Sequence, residues 1–288
     1  MNYDSNQLTA KIKAWSEEIG FNLCGITDTN LSKYQTNFKA SILDKNYNEL
    51  TYLKNNLDKR LDPKKLMSGT KSIIVCALNY YQKPISPHIS IYAQGDDYHK
   101  IVKNKLKELA QKIETHIGNF NYRCFCDTAP VLEKALAEKA GIGWIGKNSL
   151  LITKQGSFMF LGEIFTDLEL QVDKPAKNHC GKCTTCLKTC PTKAIIKPNK
   201  INIQKCLAYL TTEPKSQNHL KIDLHEKFYG CDECQLACPW NRFAKLNTIF
   251  TPNQNLAKPY KELIAWDEDE FRKNTKGTAL RYKNIKHP

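Results

Sequence analysis

Leu8, Ile12, Trp15 and Ile19 recur on one face of a 3.6-residue period with charged side chains between them, so the chain opens with an amphipathic helix. Apolar segments of strand length follow at Asn22 to Thr27, Ser72 to Tyr81, Tyr122 to Cys126 and Ser157 to Thr166. Between them, His99 to Ile117 places Val102, Leu106, Leu109 and Ile113 at helical spacing. Pro130 to Ala140 predicts another helix, with Pro130 in the first turn, where a fixed φ fits and no amide hydrogen is wasted. Helices and strands alternate through residue 170, and the class expected is α/β, built as an α+β sandwich. From Gln171 to Phe243 the pattern breaks into short segments rich in proline and cysteine, with one short helix expected over Thr192 to Ile196. Such a region is held by what it binds more than by a core. Beyond Ala244 the chain is polar, anchored by Trp266, Phe271 and Leu280. Three regions are therefore expected: 1–170, 171–243 and a basic tail over 244–288.

A hydrophobic share of 41% in 288 residues supports a real core. The longest apolar runs, such as Ile73 to Leu78, fall far below the roughly 18 residues of a membrane span, and the first helix lacks the character of an export signal. A soluble, cytoplasmic protein without a membrane partner is expected, taken as a monomer. Lys and Arg outnumber Asp and Glu by 43 to 29, a net charge of +14 that favours polyanionic partners through counterion release. The stretch from Arg272 to Lys286 holds Arg272, Lys273, Lys276, Arg281, Lys283 and Lys286 without one acid. It reads either as a solvated end or as a phosphate-contacting arm.

The cysteines sharpen this picture. Cys180, Cys183, Cys186 and Cys190 precede Pro191, Cys206 stands alone, and Cys231, Cys234 and Cys238 precede Pro239. The first run has the C-x2-C-x2-C-x3-C-P spacing in which the fourth cysteine ligates the other cluster of a two-cluster [4Fe-4S] protein. That rule assigns Cys180, Cys183, Cys186 and Cys238 to one cube, and Cys231, Cys234, Cys190 and Cys206 to the other. Cys-x2-Cys pairs also suit zinc, though zinc ribbons are not usually built from three such cysteines and a Cys-Pro. A disulfide framework suits small secreted domains, not this chain. Cys24, Cys76, Cys124 and Cys126 lie in strand-like segments and read as small buried hydrophobes.

Two cubes make a path for single electrons, and the first 170 residues must use them. There the run from Cys126 to Asn148 stands out. Asp127 ends a strand ahead of Pro130, where its carboxyl is either a helix cap or an acid facing a crevice. Gly141, Gly143 and Gly146 alternate with Ile142, Trp144 and Ile145, so that backbone approaches something flat or bulky. These glycines follow a helix and are not a dinucleotide fingerprint.

D-T-A-P-V-L-E-K-A-L-A-E-K-A-G-I-G-W-I-G-K-N from Asp127, with N-L-D-K-R-L-D-P from Asn56, Y-A-Q-G-D-D-Y-H-K from Tyr92 and G-C-D-E-C-Q-L-A-C-P-W-N from Gly230, resembles the epoxyqueuosine reductase family. The resemblance runs from the first helix to about Arg281. It implies the last step of queuosine synthesis, removal of the epoxide oxygen from the modified wobble base of tRNA. It further implies one cobalamin, two [4Fe-4S] clusters, a fold related to reductive dehalogenases and a low-potential electron donor that the sequence does not identify. Asp127 matches the family's general acid, a role for which burial is expected to raise its pKa. Tyr92, Lys147, Asn148, Asp232 and Glu233 lie in matched motifs and are candidate cofactor contacts. Asp97-Tyr98-His99 begins like the Asp-x-His-x-x-Gly of proteins that ligate cobalt through histidine, yet Val102 stands at the glycine position, so His99 is expected to be structural or near substrate. Members often continue into helical repeats that help hold tRNA, whereas this sequence ends at Pro288. The grip on tRNA is then expected from the cofactor mouth and the basic tail. Two rival readings are a corrinoid reductase of a small molecule and a two-cluster ferredoxin.

Overall fold

Helix α1 (Ser5–Glu18) is capped by the Asp4 carboxylate, which accepts from the Gln7 amide, and it buries Leu8 and Ile12 as the periodicity predicts. The computed structural model describes residues 3–44, 50–213 and 222–282. Strand β1 (Leu23–Asp28) and helices α2 (Ser32–Leu43), α3 (Leu57–Leu61) and α4 (Pro63–Leu66) lead to β2 (Ser72–Asn79). Then come α5 (Tyr98–Ile117), β3 (Tyr122–Phe125), α6 (Glu133–Lys139), a small hairpin of β4 (Trp144–Ile145) and β5 (Leu151–Ile152), and β6 (Met159–Thr166). The main sheet runs β1-β2-β6-β3, and every pairing in it is antiparallel. The fold is mixed α and β, and Asp127 follows the edge strand β3 of this antiparallel sheet.

All eight residues of β2 are buried, because the strand is central and covered on both faces. On one face Ile74, Cys76, Leu78 and Ile164 meet α1 and α5 through Leu8, Ile12, Val102, Leu106 and Ile113. On the other, Ile73, Val75, Ala77, Leu161 and Phe165 meet α6 through Leu136 and Ala137. Residues of opposite parity along β2 thus serve separate cores.

Two local expectations fail. Pro130 lies three residues ahead of α6, whose cap position is Leu132 with no side-chain cap, so it is not a first-turn proline. The hydrogen bond from the Val131 amide to the Ala129 carbonyl (2.8 Å) turns the chain first. Thr192 to Ile196 is not a helix either. Beyond α7 (Thr185–Thr189), Ile195–Lys197 forms β7 and pairs with β8 (Lys200–Ile201) around Asn199, whose φ of 60° makes the turn. The two β-branched residues there favour a strand over a single helical turn.

Helices α8 (Leu207–Thr212) and α9 (Glu233–Leu236) complete the cysteine region. The stretch expected as a polar tail folds back. With α10 (Tyr260–Ala265) and α11 (Glu268–Asn274) it packs Leu256, Leu263, Trp266, Phe271 and Leu280 against Ile89, Ala93 and Tyr229. In its basic run Arg272 pairs with Glu268, while Lys283 and Lys286 lie outside the described residues. Among the described residues no helix is long and apolar enough to cross a membrane.

Candidate active site

Helix α5 starts with Asp97 as its cap and carries Tyr98 and His99 in its first turn. Phe160 of β6 stacks against Tyr98, ring centres 3.9 Å apart and 6° from parallel, which fixes the phenol. Its hydroxyl donates to Oδ2 of Asp127 at 2.5 Å, and His99 Nε2 stands 3.3 Å from the same oxygen. On its other side His99 Nδ1 is 2.8 Å from Asp97 Oδ1. An acid, an imidazole and a second acid therefore stand in line, with a phenol beside them.

Asp127 sits just past β3 with φ at 56°, a left-handed conformation that aspartate tolerates better than most residues. Its amide donates to Oε1 of Glu133 over 2.6 Å, which pins the turn. Because α6 has no side-chain cap, the capping role falls away and the carboxyl is left for the site. Its side chain is 57% exposed. Burial does not raise its pKa as the sequence reading expects: the hydrogen bond from His99, and behind it that from Tyr98, holds it below the usual aspartate range. Burial of His99 favours the neutral ring, but its bonds to Asp127 and Asp97 outweigh this and push its pKa up. Both shifts favour a protonated imidazole beside an ionised carboxylate.

Behind the turn two further acids lie in apolar surroundings. Burial and the charge of Asp127 push Glu133 up to about 7. Glu163, at 0% exposure opposite Val75 and Phe125, has no partner for either carboxylate oxygen among the described residues, and burial pushes its pKa far up. Tyr52, Tyr92 and Tyr229 lie within electrostatic reach of Asp127, and burial raises all three phenols. The Nε of Arg60 is buried without a partner.

The cysteine region is clamped onto this wall. The Ser90 amide donates to the Tyr229 carbonyl (2.7 Å), and the Ile91 amide donates to Asp232 Oδ2 (2.7 Å). Gly230, at φ 74°, leaves the space that Ser90 Oγ occupies, where a Cβ would overlap it. Glu233 pairs with Lys227 at 2.8 Å. Lys147 donates to the carbonyls of Gly181 (2.7 Å) and Cys183 (2.8 Å), and Asn148 Nδ2 donates to the Cys234 carbonyl (3.1 Å). These two residues thus stitch the hairpin region to both cysteine runs. The glycines before them close on their own chain: a Cβ on Gly143 would overlap the Ile152 carbonyl, and one on Gly146 would overlap the Ile152 side chain. The bulky neighbour that their spacing suggested is strand β5.

Cys180, Cys183, Cys186 and Cys238 line one cavity of about 110 Å³, bounded further by Lys147, His179 and Trp240. Burial, then the nearby thiols Cys180, Cys238 and Cys183, raise the pKa of Cys186. Cys234 is raised by burial and then chiefly by Cys206 and Cys231, and Cys206 by burial and by Cys190. One cavity gathers Cys180, Cys183, Cys186 and Cys238, and Cys190, Cys206, Cys231 and Cys234 lie within electrostatic reach of one another. Four thiols around a cavity suit a cube.

A line of proton-bearing groups beside a double-cluster region defines an iron–sulfur oxidoreductase. The family model described as "Epoxyqueuosine reductase QueG, DUF1730" matches residues 60–128, and that described as "4Fe-4S double cluster binding domain" matches residues 179–241. An epoxyqueuosine reductase of Escherichia coli (strain K12) is 42% identical over 295 residues, covering 96% of this chain and 78% of the relative. The chain belongs to the epoxyqueuosine reductase family. A crystal structure of such a reductase with an epoxyqueuosine-modified tRNA-Tyr stem loop superposes with a TM-score of 0.78 at 30% identity, covering 95% of this chain and 76% of that one. A catabolic reductive dehalogenase shares the fold alone, with a TM-score of 0.52 at 19% identity over 83% of this chain and 32% of that one.

Asp127 and the eight cysteines singled out in the sequence lie in the two regions described above. Sequence reasoning passed over Tyr98, Glu133, Glu163 and Tyr229. Tyr98 lay inside a quoted motif, whereas a glutamate in an otherwise apolar strand, F-L-G-E-I-F, was a visible signal for Glu163.

Proposed function

We propose that this chain is an epoxyqueuosine reductase that removes the epoxide oxygen of epoxyqueuosine in a tRNA anticodon loop and leaves queuosine. The observation that carries the reading is the Asp97–His99–Asp127 line, completed by Tyr98, at a wall shared with the double-cluster region. A ferredoxin would need no such line, and family membership sets that rival aside.

The residues around Asp127 fit a corrinoid. Tyrosines at 52, 92 and 229 offer flat apolar walls and hydroxyls, Arg60 has a donor without a partner among the described residues, and both ring nitrogens of His99 are engaged by Asp97 and Asp127. Tyr92 and the backbone of Asp232 and Glu233 would hold the cobalamin, with Asp127 over the reacting carbon–oxygen bond. Lys147 and Asn148 hold the cluster loops. When bound, cobalamin would supply a low-potential metal for two-electron reduction of a strained ring, recharged by single electrons from two [4Fe-4S] clusters that the cysteines would hold. Asp232, between two thiols of the second set, accepts from the Ile91 amide, and Tyr229 lies within electrostatic reach of Asp127.

Converting an epoxide to an alkene and water consumes two electrons and two protons. Asp127 delivers protons to the departing oxygen. Substrate that covers the half-exposed carboxyl removes water from it, raises its proton affinity, and draws the proton across from His99. Asp97 stabilises the protonated imidazole meanwhile, and Tyr98 keeps Oδ2 in position.

We read 1–170 as the cofactor-binding region with an α+β sandwich, 171–243 as the ferredoxin-like region and 244–288 as a basic, largely packed cap, in a cytoplasmic monomer that meets tRNA at the crevice. The test is to reconstitute the protein with iron, sulfide and cobalamin, reduce it, add tRNA bearing epoxyqueuosine and digest to nucleosides. Queuosine is the expected product; its absence with all cofactors bound would favour a small-molecule corrinoid reductase.

A further inference from the structure

The first thiol set lies open to solvent. Cys183 is exposed, and Trp240, Pro239 and His179 form the rim of its cavity. The second cysteine run and the segment after it also expose large apolar side chains: Leu236 is 52% exposed, Phe243 45% and Leu246 67%. Phe243 packs on Trp240 with ring centres 5.8 Å apart, and the Arg242 guanidinium lies 4.6 Å over Phe243, so the group is continuous with the cavity rim.

The chain segments that carry these side chains are strongly basic in sequence. Between Asp173 and Glu213 the chain holds eight lysines and no acid, and between Glu233 and Glu262 Arg242 and Lys245 again meet no acid. Lys200 is paired with Asp44, but Lys182, Lys188, Arg242 and Lys245 are exposed. Exposed apolar side chains in basic segments fit a protein partner with an acidic surface around its own redox group. Nucleic acid would use the lysines but gains nothing from Leu236, Phe243 and Leu246.

We propose that the face around Cys183 and Trp240 is the docking site of a small acidic single-electron carrier protein. This rests on the reading of the chain as a reductase and deepens it by naming the kind of donor. Each encounter oxidises the carrier by one electron and reduces the chain's nearer cluster by one. No bond is made or broken, and two encounters supply one turnover.

Flavodoxin, a small acidic carrier, is the probe. The reconstituted protein, a Lys188→Glu/Arg242→Glu/Lys245→Glu variant and a Leu246→Ser variant are each mixed with flavodoxin hydroquinone, and bleaching of cluster absorption is timed. Binding of oxidised flavodoxin is titrated in parallel. The triple variant is expected to lose about 10- to 100-fold in bimolecular rate at low salt, and the wild-type rate to fall steeply as salt rises. Leu246→Ser is expected to weaken binding several-fold at every salt concentration. Reduction by dithionite, which needs no docked protein, stays within about twofold in all three and confirms that their clusters are loaded. A wild-type rate indifferent to salt, or a triple variant that flavodoxin reduces at the wild-type rate, overturns the proposal. So does a triple variant that loses affinity for a tRNA stem loop while keeping its flavodoxin rate, which assigns the face to nucleic acid. Failure of the reductase reading looks different: dithionite-reduced wild type would leave epoxyqueuosine unconverted.

Discussion

The hydroxyl of Tyr98 donates to Oδ2 of Asp127 across 2.5 Å, and His99 approaches the same oxygen at 3.3 Å, so both contacts fall on one carboxylate oxygen. Replacing Asp127 by asparagine preserves the left-handed turn that alanine would strain, and isolates the proton chemistry. Asp127→Asn should keep clusters and cobalamin and lose about 10²- to 10⁴-fold in kcat, read as queuosine formed in a single turnover. A wild-type rate would remove Asp127 from the chemistry.

The His99–Asp127 pair makes stability depend on pH. His99 has a raised folded pKa, so its contribution is complete below the ordinary 6.5 and vanishes as pH climbs through the raised value. Asp127 is lowered, so its contribution is complete above the ordinary 3.8 and vanishes as pH falls through the lowered value. The melting temperature of wild type relative to His99→Asn should therefore be greatest between those two ordinary values and shrink at alkaline pH. A difference flat from pH 4 to 9 would contradict the pairing.

Glu163 works in the opposite sense. Its raised pKa means that folding costs more as pH rises above the ordinary glutamate value of 4.5. Glu163→Gln should gain on wild type with rising pH, by about 1–3 kcal/mol near neutrality if the orphaned carboxylate sets the cost. Chemical denaturation at pH 5 and pH 8 measures it, and an equal effect at both would refute the assignment.

Exchange of cysteines between the runs can be counted in iron. Cys238→Ser should halve the bound iron and remove the centre held by Cys180, Cys183 and Cys186, leaving the other visible by paramagnetic resonance. Loss of the Cys231–Cys234 centre instead would reverse the assignment.

Lys147 joins the β4–β5 region to the first cysteine run through two carbonyls. Lys147→Met should lower stability by about 1–3 kcal/mol and speed loss of the adjacent cluster in air. An unchanged bleaching rate would show those hydrogen bonds to be idle.

Much of this molecule was legible because its patterns are local. The heptad-like face of α5 and the apolar run of β2 declare their periods within a few residues, and thiol spacing declares a cube. What stayed hidden depends on distance: no local signal says that β2 pairs with β6 rather than β3, that Glu133 reaches the Asp127 amide, or that Leu256 and Phe271 cover Ile89. The proton affinity of Asp127 was misjudged for the same reason, since His99 lies 28 residues earlier in the chain and its effect exceeds that of burial.

If Cys190 and Cys238 exchange between the two fours as proposed, their positions along the chain also order events during synthesis. A ribosome that has released Cys186 has delivered three ligands of the first cube, but the fourth arrives only with Cys238, after the second cube's set is complete. Iron delivered earlier meets an open corner, so maturation of either centre must wait until nearly the whole double-cluster region has emerged.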